Sequence, residues 1–417
     1  MKVKILSLLI SLLFFLPKFA LAVDLFGASR TYLQSRETTN SKKLLPLYEY
    51  LDLNAEGIGA KELSFNFGGW GRADLKDSQF DNRVDGNLQY AYLSYNRKTD
   101  NSVINLGRFF IFEGVGIGQV DGLYAKTDLW GGFGISAFGG VPAEIDSESR
   151  KGEYVYGGRI KQGIPGLYQI GLSYLKEDKI QSNITEEVGG DLWFRPWEKL
   201  EIQGKSAYSF STSGWTEHDY SLVLGSFSLF RLRGGGSWVD YKNYFDSANM
   251  SAFKFPSINP NEKVLTLGGA VDIDFTPHFS IAGEYKNYNY DLAGSADYFG
   301  GKLIYSKPGW GGAGFSVHRM NGGTDKLKYN QFRVYGYKNF GKADVTLDLL
   351  HIYYDVAING VQKAYSVVAA AGYNLTEKAR FAADLEYSHN PDFDKEFRTF
   401  IKFIYQFGTL PGIKGGK

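Results

Sequence analysis

Residues 397–407 read FRTFIKFIYQF, and this stretch decides the fold. On an extended chain Phe397, Thr399, Ile401, Phe403, Tyr405 and Phe407 share one face. Arg398, Phe400, Lys402, Ile404 and Gln406 share the other, because side chains of a strand alternate between its two sides. A soluble sandwich would bury the apolar side in protein. A membrane-spanning barrel would turn it to lipid and leave the charges in a wet interior.

The same alternation runs along the chain. Phe381, Ala383, Leu385 and Tyr387 oppose Arg380, Asp384 and Glu386, and Leu200, Ile202, Tyr208 and Phe210 oppose Glu201, Gln203 and Lys205. Leu265, Leu267, Val271 and Ile273 oppose Thr266, Asp272 and Asp274; Val345, Leu347 and Leu349 oppose Asp344, Thr346 and Asp348. Val188, Leu192 and Phe194 oppose Glu187, Asp191 and Arg195. Helical periodicity is weak throughout. Charges repeated on the minority face are costly in a packed core and ordinary in a water-filled lumen. The expected fold class is all-β, a transmembrane antiparallel up-and-down β-barrel.

With 417 residues the chain can form one large barrel or two to three ordinary domains. It has 51 Gly, only 11 Pro and no Cys, and aromatics make up 16%. Lacking Cys, it can hold no disulfide, thiolate metal site or covalently attached c-type haem. The formal charge of +1 falls to about −2 without Lys2, Lys4 and Lys18, a balance that argues against nucleic acid as a partner.

Those lysines lie in MKVKILSLLISLLFFLPKFALA, residues 1–22. A charged start, an apolar run from Ile5 to Leu16 and Ala20-Leu21-Ala22 make a secretory signal peptide cleaved after Ala22. Pro17 interrupts the run, which is short for a membrane helix. Beyond it no stretch approaches the roughly 18 apolar residues of a spanning helix.

The period-2 segments number about 22 (range 18–22), covering residues 23–407 and leaving 408–417 as a tail. Their connections are expected to alternate strictly between short (GIGAK, RKTDN, NFGK) and long (ADLKDSQFDNRVDG, IFEGVGIGQV, DYKNYFDSANMSAFKFPSINPNEK). Short turns belong on the periplasmic side of an outer-membrane barrel, with both chain ends there too.

The signal peptide, the alternating strands and the aromatic last strand resemble a Gram-negative outer-membrane β-barrel of the porin type. NLGRFF (105–110) and DGLYA (121–125) are similar to a segment of large bacterial porins. The resemblance implies an outer-membrane location, lipid as surroundings, and recognition of Phe403, Tyr405 and Phe407 by the barrel-assembly machinery. Such a strand usually ends the chain, whereas here GTLPGIKGGK follows Phe407. More weakly, the chain resembles barrels that sheath multihaem cytochromes. Some of those carry an N-terminal Cys pair, which is missing here.

No catalytic, cofactor or metal site is expected. The five histidines are scattered, and Ser316 and His318 share a strand face at about 7 Å, too far for a Ser–His hydrogen bond. GVGIGQ does not open a helix, so it is no phosphate cradle. The glycine-rich runs suit strand bends instead. The acidic run Asp74, Asp77, Asp81, Asp85 is irregularly spaced and reads as a solvated loop.

Function should therefore sit in the lining. Turning the apolar rows outward turns Arg72, Arg159, Lys161, Arg195, Lys205, Arg231 and Arg233 inward, with Glu187, Asp191, Glu201, Asp272, Asp274, Glu284, Asp344, Asp348, Asp384 and Glu386. Basic residues cluster early and acidic ones late, which suggests a positive and a negative side; the alternative is that wall charges pair across strands. Arg108 and Glu113 bracket the start of IFEGVGIGQV, expected to fold inward as a constriction. Residues 240–263 are the other candidate filler. Strand one follows the cleavage site directly, which leaves no room for an N-terminal plug domain. The two readings are a porin-like channel for small hydrophilic solutes or ions, and a sheath around a lumen-filling partner such as a multihaem cytochrome.

Overall fold

The computed structural model describes residues 23–37, 42–78, 82–143, 152–178, 184–247, 259, 261–392 and 395–408. The expected signal peptide, the tail beyond Gly408 and most of the 240–263 connection, including Phe253 and Phe255, lie outside the described residues.

The strands are β1 (Asp24–Glu37), β2 (Lys43–Leu44), β3 (Pro46–Glu56), β4 (Leu63–Asp74), β5 (Val84–Arg97), β6 (Ser102–Glu113), β7 (Gly116–Asp128) and β8 (Phe133–Pro142). They continue as β9 (Tyr154–Ile164), β10 (Tyr168–Asp178), β11 (Thr185–Trp197), β12 (Leu200–Ser209), β13 (Gly214–Leu224), β14 (Phe230–Asp240), β15 (Lys263–Thr276) and β16 (Phe279–Tyr290). The last are β17 (Gly294–Lys307), β18 (Gly311–Gly322), β19 (Lys328–Phe340), β20 (Ala343–Ile358), β21 (Val361–Asn374), β22 (Ala379–His389) and β23 (Glu396–Phe407). A single short α-helix, α1 (Tyr241–Ser247), follows β14 among the described residues. No helix among them is long and apolar enough to cross a membrane.

Each barrel strand pairs antiparallel with the next, and β1 pairs with both β3 and β23. Gly27 lies opposite Phe407 and Ser35 opposite Thr399, so first and last strands close the sheet on itself. Setting aside the two-residue β2, which pairs with the end of β1 and bridges to Asp77 beyond β4, the wall is a closed barrel of 22 strands. Closure gives every barrel strand a neighbour on each side, the condition for crossing hydrocarbon without helices.

The two faces match their solvents. Leu106, Leu123, Ile160, Leu172, Leu267, Leu347, Phe403 and Tyr405 are exposed on the outside. In water such a surface would aggregate, and in a bilayer it is the lipid band. Glu49 interrupts the outward row of β3, and its carboxylate accepts hydrogen bonds from Ser29 Oγ and Thr31 Oγ1, each at 2.6 Å.

The strict alternation of loop lengths does not hold. On the rim away from the chain ends, 210–213, 291–293 and 359–360 are tight turns. Asn359-Gly360 is the pair that a two-residue type I′ hairpin favours. IFEGVGIGQV is not a loop either: β6 runs to Glu113 and β7 restarts at Gly116.

Candidate functional site: a lumen narrowed by an inward hairpin

Strand β6 stops pairing with β5 at Arg108, opposite Ala91, and β7 begins to pair with β8 only at Val120, opposite Pro142. Between those points β6 and β7 pair with each other alone, to Glu113 opposite Gly116. This hairpin leaves the wall and folds into the lumen. At its tip the Val115 N–H donates to Ser173 Oγ on β10 at 3.0 Å. Ser173 faces inward, since its neighbour Leu172 is on the exposed outer row. Gly114 turns the tip at φ +64°, and a Cβ there would overlap Ser173. Both constraints demand glycine.

Alternation explains why the hairpin lies down. Phe109, Ile111 and Val120 face the wall and pack with Phe138, Val155 and Leu175; Phe109 is only 1% exposed. Burying such apolar groups stabilises the inward pose by roughly 1.5–3 kcal/mol for each large side chain. The opposite hairpin face carries Phe110, Phe112 and Ile117, with Phe112 74% exposed towards the lumen.

The helix α1 closes over the same side. Asn243 Nδ2 donates to the Trp215 carbonyl at 3.0 Å, and Tyr244 meets the hairpin across a cavity of about 350 Å³. Val115, Ile117, Glu187, Gly189 and Lys205 also line it. Within it, Thr216 Oγ1 donates to Glu187 at 3.1 Å, and Lys205 pairs with Glu217 at 2.6 Å.

The other expected lining residues sit mostly in ion pairs. Arg159 Nε donates to Asp191 at 3.1 Å and Lys161 pairs with Asp128 at 3.0 Å. Arg231 and Arg233 converge on Asp272, at 3.4 and 2.7 Å. Asp344 pairs with Arg380 at 2.7 Å, Asp348 with Arg333, Asp384 with Lys402, and Glu386 with Arg398 at 3.8 Å. Arg333, Arg380, Arg398 and Lys402 neutralise the acidic stretch, so a lumen with one positive and one negative side does not form. Arg72 is buried at the strand end, donating to the Asn82 carbonyl at 3.1 Å. Arg195 is exposed at a turn, donating to the Glu198 carbonyl at 3.0 Å, and Asp274 is also exposed. Arg108, clamped to Asp121 at 2.6 and 2.7 Å, belongs to the row of outward Leu106 and sits where the hairpin bends off the wall. Glu113 accepts a hydrogen bond from Tyr124.

Sequence spacing missed one Ser–His contact. Ser206 Oγ lies 2.8 Å from His218 Nδ1 and 2.7 Å from Tyr220 Oη. The imidazole packs against Trp215 and Trp238, with ring centroids at 4.7 and 5.5 Å. Those partners make it part of an aromatic girdle on the outer face rather than a catalytic constellation, which needs a polar group to orient the imidazole. Among the described residues no group of three or more His, Cys, Asp or Glu is placed to hold a metal ion.

No protein-family model and no curated protein matches this sequence. Solved structures do. The siderophore receptor PirA from Pseudomonas aeruginosa overlays with a TM-score of 0.55 at 11% identity, over 92% of this chain and 80% of that one. The outer membrane protein opdK from Pseudomonas aeruginosa gives 0.44 at 8% identity, over 93% and 99%. The translocation pore of the P pilus usher PapC gives 0.47 at 9%, over 93% and 100%. By fold, this chain is a closed antiparallel β-barrel of 22 strands, the architecture it shares with the siderophore receptor.

Proposed function

We propose that the protein is a restricted diffusion channel of the bacterial outer membrane, passing small hydrophilic solutes or ions. The observation that carries this reading is the β6–β7 hairpin bound to the inner wall through Val115 and Ser173. Twenty-two strands about 4.8 Å apart and tilted about 40° enclose a backbone circle on the order of 45 Å across. Such a lumen needs internal filling to limit what passes. The hairpin and α1 supply part of it, and the paired charges keep the remaining passage wet without a strong field of either sign. The reading is one of transport, not catalysis. It is tested by reconstituting the purified protein in planar bilayers. Discrete conductance that rises when residues 110–119 are replaced by a two-residue turn supports it. Electrically silent bilayers, with both forms inserted, would overturn it.

A second reading, a sheath around a lumen-filling partner such as a multihaem cytochrome, draws on the same width and on exposed Phe112 and Ile117 inside the lumen. Haem absorbance in the protein purified from its native membrane would favour it.

A further inference from the structure

The interior of such a barrel is expected to be polar, with aromatic residues in outer girdles. One sector of this inner wall departs from that. From β23 across β1, β3 and β4, Phe400 and Tyr32 have ring centroids 5.2 Å apart, and Tyr32 and Tyr50 5.4 Å. Tyr50 stacks with Tyr48 at 6.1 Å, and Tyr48 lies 6.3 Å from Trp70. On β5 the Tyr90 ring lies over Gly68, where a Cβ would overlap it. Tyr92 then joins the row to the base of the inward hairpin through Phe109, at 6.2 Å. These residues alternate with outward Phe403, Leu93 and Phe65, so the rings face the lumen. All but Phe109 are part-exposed.

The polar groups among the rings have a matching property: their charges cancel. Arg30 pairs with Asp52 at 2.6 Å, Arg72 with Asp74 at 3.6 Å, and Lys402 with Asp384. Tyr90 Oη also donates to Asp52, at 2.8 Å. An ionic solute would find no uncompensated counter-charge here. A purely apolar solute would leave the carboxylates, guanidinia and phenol hydroxyls at the ring edges unused. Flat apolar faces fringed by hydrogen-bonding groups fit a ligand of the same character, with apolar C–H faces and polar edges.

We infer that this sector is a binding track for neutral carbohydrate, a short oligosaccharide of pyranose units stacked on the rings. The inference rests on the channel reading for its use, but binding can be measured without conduction. Maltohexaose and cellohexaose are the probes, titrated by calorimetry against the purified barrel in detergent. Saturable binding of either is expected. Trp70→Ala should weaken it at least tenfold, and Trp70→Phe, which keeps a ring at the same position, should hold it within about threefold. Retained heat-modifiability on gels shows that each variant is folded. No saturable binding of either sugar, or equal binding by folded Trp70→Ala, would overturn the track; binding of benzoate in place of the sugars would reassign it to aromatic acids and overturn it equally. Sugar binding by a barrel that carries no current would sink the channel reading and leave the track standing. Current without sugar binding does the reverse.

Discussion

Val115 donates its backbone N–H to the hydroxyl of Ser173, a residue three strands away round the wall. That hydrogen bond marks where the hairpin tip lands, and it can be trapped. A Cβ on Gly189 would overlap Val115 Cγ1, so the two Cβ positions fall within a disulfide's reach. The chain has no other Cys. Val115→Cys combined with Gly189→Cys should cross-link on oxidation, seen as a mobility shift reversed by reductant. A pair that stays reduced would mean the hairpin does not rest on that wall. Ser173→Ala should cost about 0.5–1.5 kcal/mol locally and increase open-channel noise.

Phe403 is on the outer face and 38% exposed. Phe403→Arg should lower the unfolding temperature in heat-modifiability gels, through a destabilisation of about 2–4 kcal/mol if the site is near the membrane midplane and less towards its edge. Arg231→Ala is the fitting control inside the lumen, because Arg233 still pairs with Asp272. Arg398→Ala strips a 2.7 Å partner from buried Glu396 and should be felt.

Asp272 holds two guanidinia. Asp272→Asn leaves both uncompensated in the lumen, so the reversal potential in a salt gradient should move towards anion selectivity. The shift should shrink at high ionic strength, where exposed charges are screened. An unchanged potential would place this pair away from the ion path.

Lys378 Nζ donates to the Gly408 carbonyl at 3.0 Å, so Gly408, one residue past β23, is still tied to the wall. A chain truncated after Gly408 should assemble as the full chain does. One that also loses Tyr405 and Phe407 should not reach the heat-modifiable form, because β23 would lose its pairing with Gly27 and Ser29 of β1.

The wall was legible because a strand reports its two faces locally. The alternating rows Leu265 to Ile273, Val345 to Leu349 and Phe381 to Tyr387 each fall within a single strand, β15, β20 and β22. The hairpin was half legible. Phe109 and Ile111 alternate with Phe110 and Phe112, but Gly114, Gly116 and Gly118 dilute the pattern and make a strand pair look like a loop. Which charges pair, and the aromatic sector, were not legible. Asp348 meets Arg333, and Tyr50 meets Trp70, only once the register between strands is known. The alternating pattern sets a residue's side and leaves its neighbour across the sheet open.

Gly27 faces Phe407 across the seam between β1 and β23. Until that seam forms, the nascent sheet has two raw edges, each a row of unpaired amides and carbonyls that hydrocarbon cannot solvate. Biogenesis is thus all-or-none at the level of the whole polypeptide: a ribosome that stops anywhere before β23 releases a product unable to close.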